Sequence, residues 1–215
     1  MAASCAVSPA APPLLEACGL ECSRGQRLLF RDLSFGLGPG TACQVQGPNG
    51  AGKTSLLRML CGLSLPDAGE VRWQGREIRT TRAGYLDHMA YVGHSSGVKG
   101  ELTPLENLAL SRALAGTAAA ASAQALAQVG LEEFLHHPCR TLSAGQRRRV
   151  ALARLLVAEA RLWIVDEPLT ALDAAGVGMV EALLAGHLAR GGLAVLTSHQ
   201  PVALDAPVTL IRLPP

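Results

Sequence analysis

Short apolar stretches interrupted by polar residues over 14–20 and 28–36 predict two strands. The turn at Gly38, Pro39 and Gly40 leads into TACQVQ (41–46), which reads as a third, buried strand. Beyond the glycine-rich GPNGAGKT, Leu56, Leu57 and Leu60 fall on one helical stripe, ended by Gly62 and Pro66. Residues 67–82 suit a small hairpin, and AYVG (90–93) another strand. From Leu105 to Phe134 the pattern turns helical and alanine-rich, with breaks at Gly116 and Gly130. A further helix follows LSAG, with Val150, Leu152, Leu155 and Leu156 apolar. RLWIVD is then a buried strand, 174–189 a helix, and LAVLTS and VTLIRL the last two strands. Strand–helix alternation of this kind predicts an α/β fold with a mainly parallel sheet. The block at 105–140 interrupts it as an inserted helical lobe, expected to be thin because alanine favours helix but fills little volume. The expected boundaries are a disordered lead at 1–13, a nucleotide-binding domain at 14–212, and a helical subdomain at about 95–141.

Composition narrows the class. Of 215 residues, 49% are hydrophobic, enough for a sizeable core, while only 3% are aromatic, so that core must rest on Leu, Val and Ala. The longest apolar runs fall short of the 18 or more residues of a membrane-spanning helix. A net charge of +2 is too small to indicate nucleic acid as a partner. Six cysteines make neither a CxxC pair nor a zinc pattern, which suits reduced thiols in a cytosolic protein. The first thirteen residues lack the basic and apolar regions of a signal peptide. Positive charge is nearly all arginine, with lysine at 53 and 99 alone.

That isolation draws attention to Lys53. Gly47, Pro48, Asn49, Gly50, Ala51, Gly52, Lys53 and Thr54 satisfy GxxxxGK[ST] in full, between a predicted strand and a predicted helix. Glycines let such a loop curl so that its N–H groups face phosphate oxygens, and the helix N-terminus adds a favourable field. Lys53 is expected to reach the β- and γ-phosphates, Thr54 to offer its hydroxyl to magnesium, and Ser55 to assist. In LWIVDE, four apolar residues carry the chain through the sheet and release Asp166 and Glu167 at its carboxyl end, where open parallel sheets bind ligands. Asp166 is placed to hold Mg2+, and Glu167 to act as general base or to orient the attacking water. Ser143 of LSAGQ can cap the following helix. Arg147, Arg148 and Arg149 lack the interleaved aromatics of an RNA site and suit a solvated face. His199 lies at another strand end, whereas His136, His137 and Cys139 lack the further ligands a metal needs.

Taken together these segments resemble the nucleotide-binding subunits of ATP-binding-cassette (ABC) transporters. GPNGAGKT is similar to Walker A, LSAGQ to the signature, LWIVDE to Walker B, Ala171-Leu172-Asp173 to the D-loop and His199 to the switch histidine. They come in the family's order and cover about 14–212. The resemblance implies a head-to-tail dimer of two copies with ATP between them. Walker A of one copy would face Ser143, Gly145 and Gln146 of the other, His199 would touch the γ-phosphate, and Asp173 would connect the two sites. Two positions depart from the family pattern. The adenine-stacking aromatic is replaced around Cys22, Ser23 and Arg24; either Arg24 stacks on the base instead, or the site is less selective for ATP. The Q-loop glutamine is replaced by His94, which would contact water or the metal, or contribute to coupling alone.

YVGHSSGVKGELTPLENL, LWIVDEPLTALD and GGLAVLTSHQP further resemble the ATP-binding subunits of bacterial cytochrome c biogenesis. That resemblance implies a membrane subunit and haem-handling proteins as partners, at the cytoplasmic face of the inner membrane. It also implies hydrolysis coupled to haem export or to release of a haem-loaded chaperone. Docking would fall in the groove beside 94–140, with Glu101 and Glu106 near it. Alternatives are another small ABC system, serving lipoprotein release, other export or iron–sulfur assembly, and a non-catalytic interaction module.

Overall fold

The computed structural model describes residues 13–115, 121–198 and 201–215. The expected lead at 1–13 and His199 therefore lie, all but Pro13, outside the described residues. Two sheets are present. Strands β1 (Leu15–Arg24), β2 (Arg27–Leu37), β4 (Ala68–Trp73) and the two-residue β5 (Arg76–Glu77) form an antiparallel sheet in the order β2-β1-β4-β5. Strands β3 (Ala42–Gln46), β6 (Met89–Val92), β7 (Leu162–Val165), β8 (Leu193–Thr197) and β9 (Val208–Arg212) form a wholly parallel sheet in the order β6-β7-β8-β3-β9. The separate antiparallel sheet is not foreseen from the chain pattern, because the β1–β4 pairing that unites its two hairpins joins segments some fifty residues apart.

Helix α1 (Lys53–Leu60) follows β3, and the five-residue α2 (Arg82–Leu86) precedes β6. Leu56, Leu57 and Leu60 are fully buried in one cluster with Leu15, Leu20, Val45, Ile164 and Val195, so α1 lies between the two sheets. Burial pushes the Cys43 thiol up to about 12 and the Cys61 thiol further still, which keeps both unreactive in this core. The five described cysteines carry no disulfide.

The helical lobe contains α3 (Pro104–Ala115) and α4 (Ser122–Gln128), and packs on α5 (Ala144–Val157). Thr103, Pro104 and Glu106 open α3 with a reciprocal cap: Glu106 N–H donates to Thr103 Oγ1 (3.2 Å), while Thr103 N–H donates to the Glu106 carboxylate (2.8 Å). Glu101 pairs with Arg140. The lobe is better anchored than its alanine content predicts: Leu108, Leu126, Val129 and Leu131 are fully buried against Val150, Ala153 and Val157. Ala151, Leu152 and Leu155, on the opposite side of α5, belong to the core of the parallel sheet, together with Trp163, Val165 and Leu196. One helix thus serves two cores.

The same face of that sheet is also covered by α6 (Ala174–Ala189), whose buried His187 stacks on Trp163 with ring centroids 3.8 Å apart and planes 8° from parallel. A Cβ at residue 192 would come within 2.3 Å of the imidazole Nε2, so glycine is required there for the ring to seat. Nε2 lies 3.1 Å from the Leu193 carbonyl, and the ring also hydrogen-bonds the backbone of Arg161. Burial holds this imidazole below its ordinary pKa near 6.5. The unfolded chain therefore gains a proton as the pH is lowered through about 6.5 that the folded chain refuses, and stability falls with pH below that value. Thermal melts between pH 7.5 and 5.5 are expected to show this decline, and His187→Phe to flatten it. An unchanged slope in the variant would assign the decline elsewhere.

Candidate active site

The carboxyl ends of β3, β7 and β8 converge, because Val45 is in register with Thr197 and Val165 with Leu196. The chain leaves β3 through 47–52 and enters α1 at Lys53, with Gly50 at φ 81° and Gly52 at φ 99°, left-handed values that glycine adopts without strain. A Cβ at residue 52 would stand 3.2 Å from Leu29 Cβ and Phe30 Cε1, so the antiparallel sheet presses directly on the loop. Lys53 is 7% exposed and its Nζ donates to the carbonyls of Gly47 (2.7 Å) and Pro48 (3.1 Å), drawing the ammonium over the loop.

Thr54 Oγ1 donates to Asp166 Oδ2 at 2.8 Å, across 112 residues of sequence. Asp166 is 2% exposed, and its other oxygen accepts from Thr197 Oγ1 at 2.7 Å. The Thr197 hydroxyl in turn accepts the Glu167 N–H at 2.8 Å. Glu167 adopts φ 50°, a left-handed conformation that costs a non-glycine residue about 1–2 kcal/mol. Its carboxylate accepts from Thr170 Oγ1 at 3.2 Å, and its carbonyl from Arg148 Nη2 at 2.9 Å. His94, on the loop after β6, shares with Glu167, Thr170 and Arg148 the wall of a cavity of about 210 Å³. The residues that line this cavity include Glu167, expected to act on water, and neither Thr54 nor Asp166.

The signature residues face a different cavity. Ser143 caps α5 by accepting the Gln146 N–H (3.1 Å), and the Gln146 side chain accepts the Ser143 N–H (2.8 Å). Asp173 caps α6 through the Gly176 N–H (2.8 Å) and receives Arg149 Nη2 at 3.2 Å. Residue 145 must be glycine, since a Cβ would meet the Ala171 carbonyl oxygen at 2.8 Å. Ser143, Gly145, Gln146 and Asp173 line one open surface, and no residue of the 47–54 loop lines it. Ser55 is hydrogen-bonded to the buried Cys22. The neighbouring Ser23 N–H donates to Asp67 (2.5 Å), and the exposed Arg24 sits at the tip of the β1–β2 hairpin.

Thr197, Thr170 and Arg148 are additions to the site. Thr197, the last residue of β8, follows the residue paired with Val165, as Asp166 follows Val165 itself at the end of neighbouring β7, a relation that appears only once the parallel register is known. Arg148 is 6% exposed, not solvated. Its signal was helical phase, since 148, 152 and 155 share one face of α5 with Leu152 and Leu155 buried.

A glycine loop opening a helix, bonded to an aspartate at a neighbouring strand end, defines a P-loop nucleotide hydrolase; the capped signature helix beside it marks the ATP-binding-cassette class. The sequence profile described as ABC transporter matches residues 30–170. The cytochrome c biogenesis ATP-binding export protein CcmA of Methylococcus capsulatus is 57% identical over 87% of this chain and 90% of its own length. Its namesake in Nitrosomonas europaea is 52% identical over 92% of this chain and 93% of its own. The solved ATP-binding subunit of an ABC transporter superposes with TM-score 0.78 at 25% identity, covering 86% of this chain and 79% of that one. An ABC transporter ATP-binding protein from Pyrococcus furiosus gives 0.81 at 22%, covering 92% and 96%, and shares the fold. The chain belongs to the ABC transporter family, among its cytochrome c biogenesis ATP-binding export proteins, and is an ATP-binding ATPase.

Proposed function

We propose that this ATPase drives a membrane complex for c-type cytochrome biogenesis, coupling hydrolysis to haem export or to release of a haem-loaded chaperone. The observation that carries its catalytic part is the Thr54–Asp166 hydrogen bond, with Glu167 anchored beside it at three points. In this reading the loop 47–52, Lys53, Thr54 and Ser55 hold the triphosphate. A hydroxyl and a carboxylate oxygen side by side suit a hard cation that keeps waters and phosphate oxygens as its other ligands, so Thr54 and Asp166 would hold Mg2+. When bound, that ion would neutralise charge on the phosphates. Glu167 accepts the proton of a water whose oxygen bonds to the γ-phosphorus as the bond to the bridging oxygen breaks. His94, on the same cavity wall, orients that water, and His199 contacts the γ-phosphate.

The separation of the signature surface from the loop supports a head-to-tail dimer, in which Ser143, Gly145 and Gln146 reach the nucleotide held by the second copy and Asp173 links the two sites. Among the described residues no helix is long and apolar enough to cross a membrane. Attachment at the cytoplasmic face of the inner membrane would then run through a membrane subunit, with haem-handling proteins beyond it. Nucleic acid has no part in this reading, since all three consecutive arginines are taken up by carbonyls or Asp173.

The test is genetic. Deleting the gene is expected to abolish covalently haem-stained c-type cytochromes, with restoration by the wild-type gene and not by Glu167→Gln. Normal cytochromes in the deletion strain, with any duplicate gene also removed, would overturn the pathway assignment and leave an ABC ATPase with other cargo.

A further inference from the structure

Arg148 lies five residues beyond the capping Ser143, in the second turn of α5, and its guanidinium is the hub of the site's backbone. Nη1 donates to the Gly93 carbonyl at 2.8 Å. Nη2 donates to the Asp166 carbonyl at 2.5 Å and to the Glu167 carbonyl at 2.9 Å. Those carbonyls belong to the segments leaving two adjacent parallel strands, β6 and β7. One planar fork therefore ties the start of the loop that carries His94 to the peptide units on both sides of the Glu167 N–Cα–C corner. Arginine suits this task because its donors are fixed in one plane, whereas an ammonium is a point donor.

The conformation of Glu167 explains what the fork is for. At φ 50° the residue would relax toward right-handed backbone unless both its peptide units were held. Thr197 holds the N–H side and Arg148 the carbonyl side. Relaxation would swing the side chain away from its present place by more than the tolerance of a proton transfer, for which a misplacement of about 1 Å costs on the order of 100-fold. Farther along α5, Arg154 donates to the carbonyls of Ser96 (2.8 Å) and Gly97 (3.3 Å). The helix thus grips the His94 loop on either side of the histidine.

We propose that Arg148 is a positioning residue for hydrolysis, which acts through Glu167 by clamping the strained backbone that aims its carboxylate. This rests on the reading of Glu167 as the group that accepts the proton of water. Because Ser143 heads the same helix, displacement of α5 at the signature end moves Glu167 and His94 together. Arg148 is then the mechanical link between the nucleotide contacted by the signature and the one hydrolysed on the same chain.

A double-mutant cycle on the full chain, assayed with its co-purified membrane subunit, tests this. Arg148→Met is expected to lower kcat about 10- to 100-fold, with KM for ATP within about twofold, and Arg148→Lys to fall between it and wild type. Single-turnover hydrolysis is then measured with Arg148 replaced in the Glu167→Gln chain. A residue acting through Glu167 has little left to spoil there, so the further loss is expected to stay below about threefold. An equal fold-loss in both backgrounds, or a loss confined to KM, would overturn the proposal. Should the Met variant fail to fold, the Lys variant carries the same cycle. Normal hydrolysis by Glu167→Gln itself would overturn the reading of Glu167 and the proposal with it. A slow Glu167→Gln with undiminished Arg148 losses overturns the proposal alone.

Discussion

Replacing Glu167 with glutamine is expected to slow ATP hydrolysis about 100- to 10,000-fold, the range that a general base contributes, while nucleotide binding is retained. The substitution leaves the backbone anchors in place, because the Thr197 hydroxyl and the Arg148 guanidinium meet main-chain atoms of residue 167. The amide carbonyl can still accept from Thr170, as the carboxylate does at 3.2 Å. What is lost is a group that can take a proton from water. Binding of a fluorescent ATP analogue, measured beside phosphate release, separates the two effects. Release at more than half the wild-type rate would remove Glu167 from the chemistry. With hydrolysis blocked, the head-to-tail dimer should also accumulate on gel filtration in ATP.

Lys53→Ala should fail at an earlier point. Its ammonium is nearly buried and lies over the loop, bonded to two loop carbonyls, in position to exchange them for phosphate oxygens. Losing a charge-assisted contact of that kind is expected to weaken ATP binding by about 10- to 100-fold and hydrolysis by about 100- to 1,000-fold. The lost carbonyl bonds are local and lie beside solvent, so the melting temperature should move by only a few degrees. Titration of the same fluorescent analogue distinguishes the two variants: one keeps affinity and loses turnover, the other loses both. Unchanged affinity in Lys53→Ala would place the phosphates elsewhere.

Legibility differed along the chain for physical reasons. The glycine loop, the Asp166–Glu167 pair and the helix over 174–189 are readable because each is a local rule, of turn conformation, of an apolar run ending in carboxylates or of helical period, written in consecutive residues. The two-residue β5 and the five-residue α2 are too short to repeat the pattern of a strand or a helix, and the β1–β4 pairing that completes the antiparallel sheet depends on register between distant segments. In the alanine-rich lobe, composition understated the packing, because Leu108, Leu126 and Leu131 supply the volume that alanine does not. Within the site, Ser143 was legible as a cap, and the structure gives it that place. The arginine run was misread as one solvated face: Arg147 reaches the Leu142 carbonyl, Arg149 turns to Asp173, and Arg148 points inward to carbonyls that no sequence pattern marks. Main-chain acceptors carry no side-chain signature.

Helix α5 offers Ala151, Leu152 and Leu155 to the sheet and Val150, Ala153 and Val157 to the lobe. Close-packed surfaces on both sides hold the helix to the lobe and to the sheet alike. The lobe and the sheet therefore share one helix as a common wall. Residues 95–141 cut out alone would lose one wall of their interior and collapse. In hydrogen exchange, the amides of α5 should be the last of the lobe to open, and should open together with those of β7.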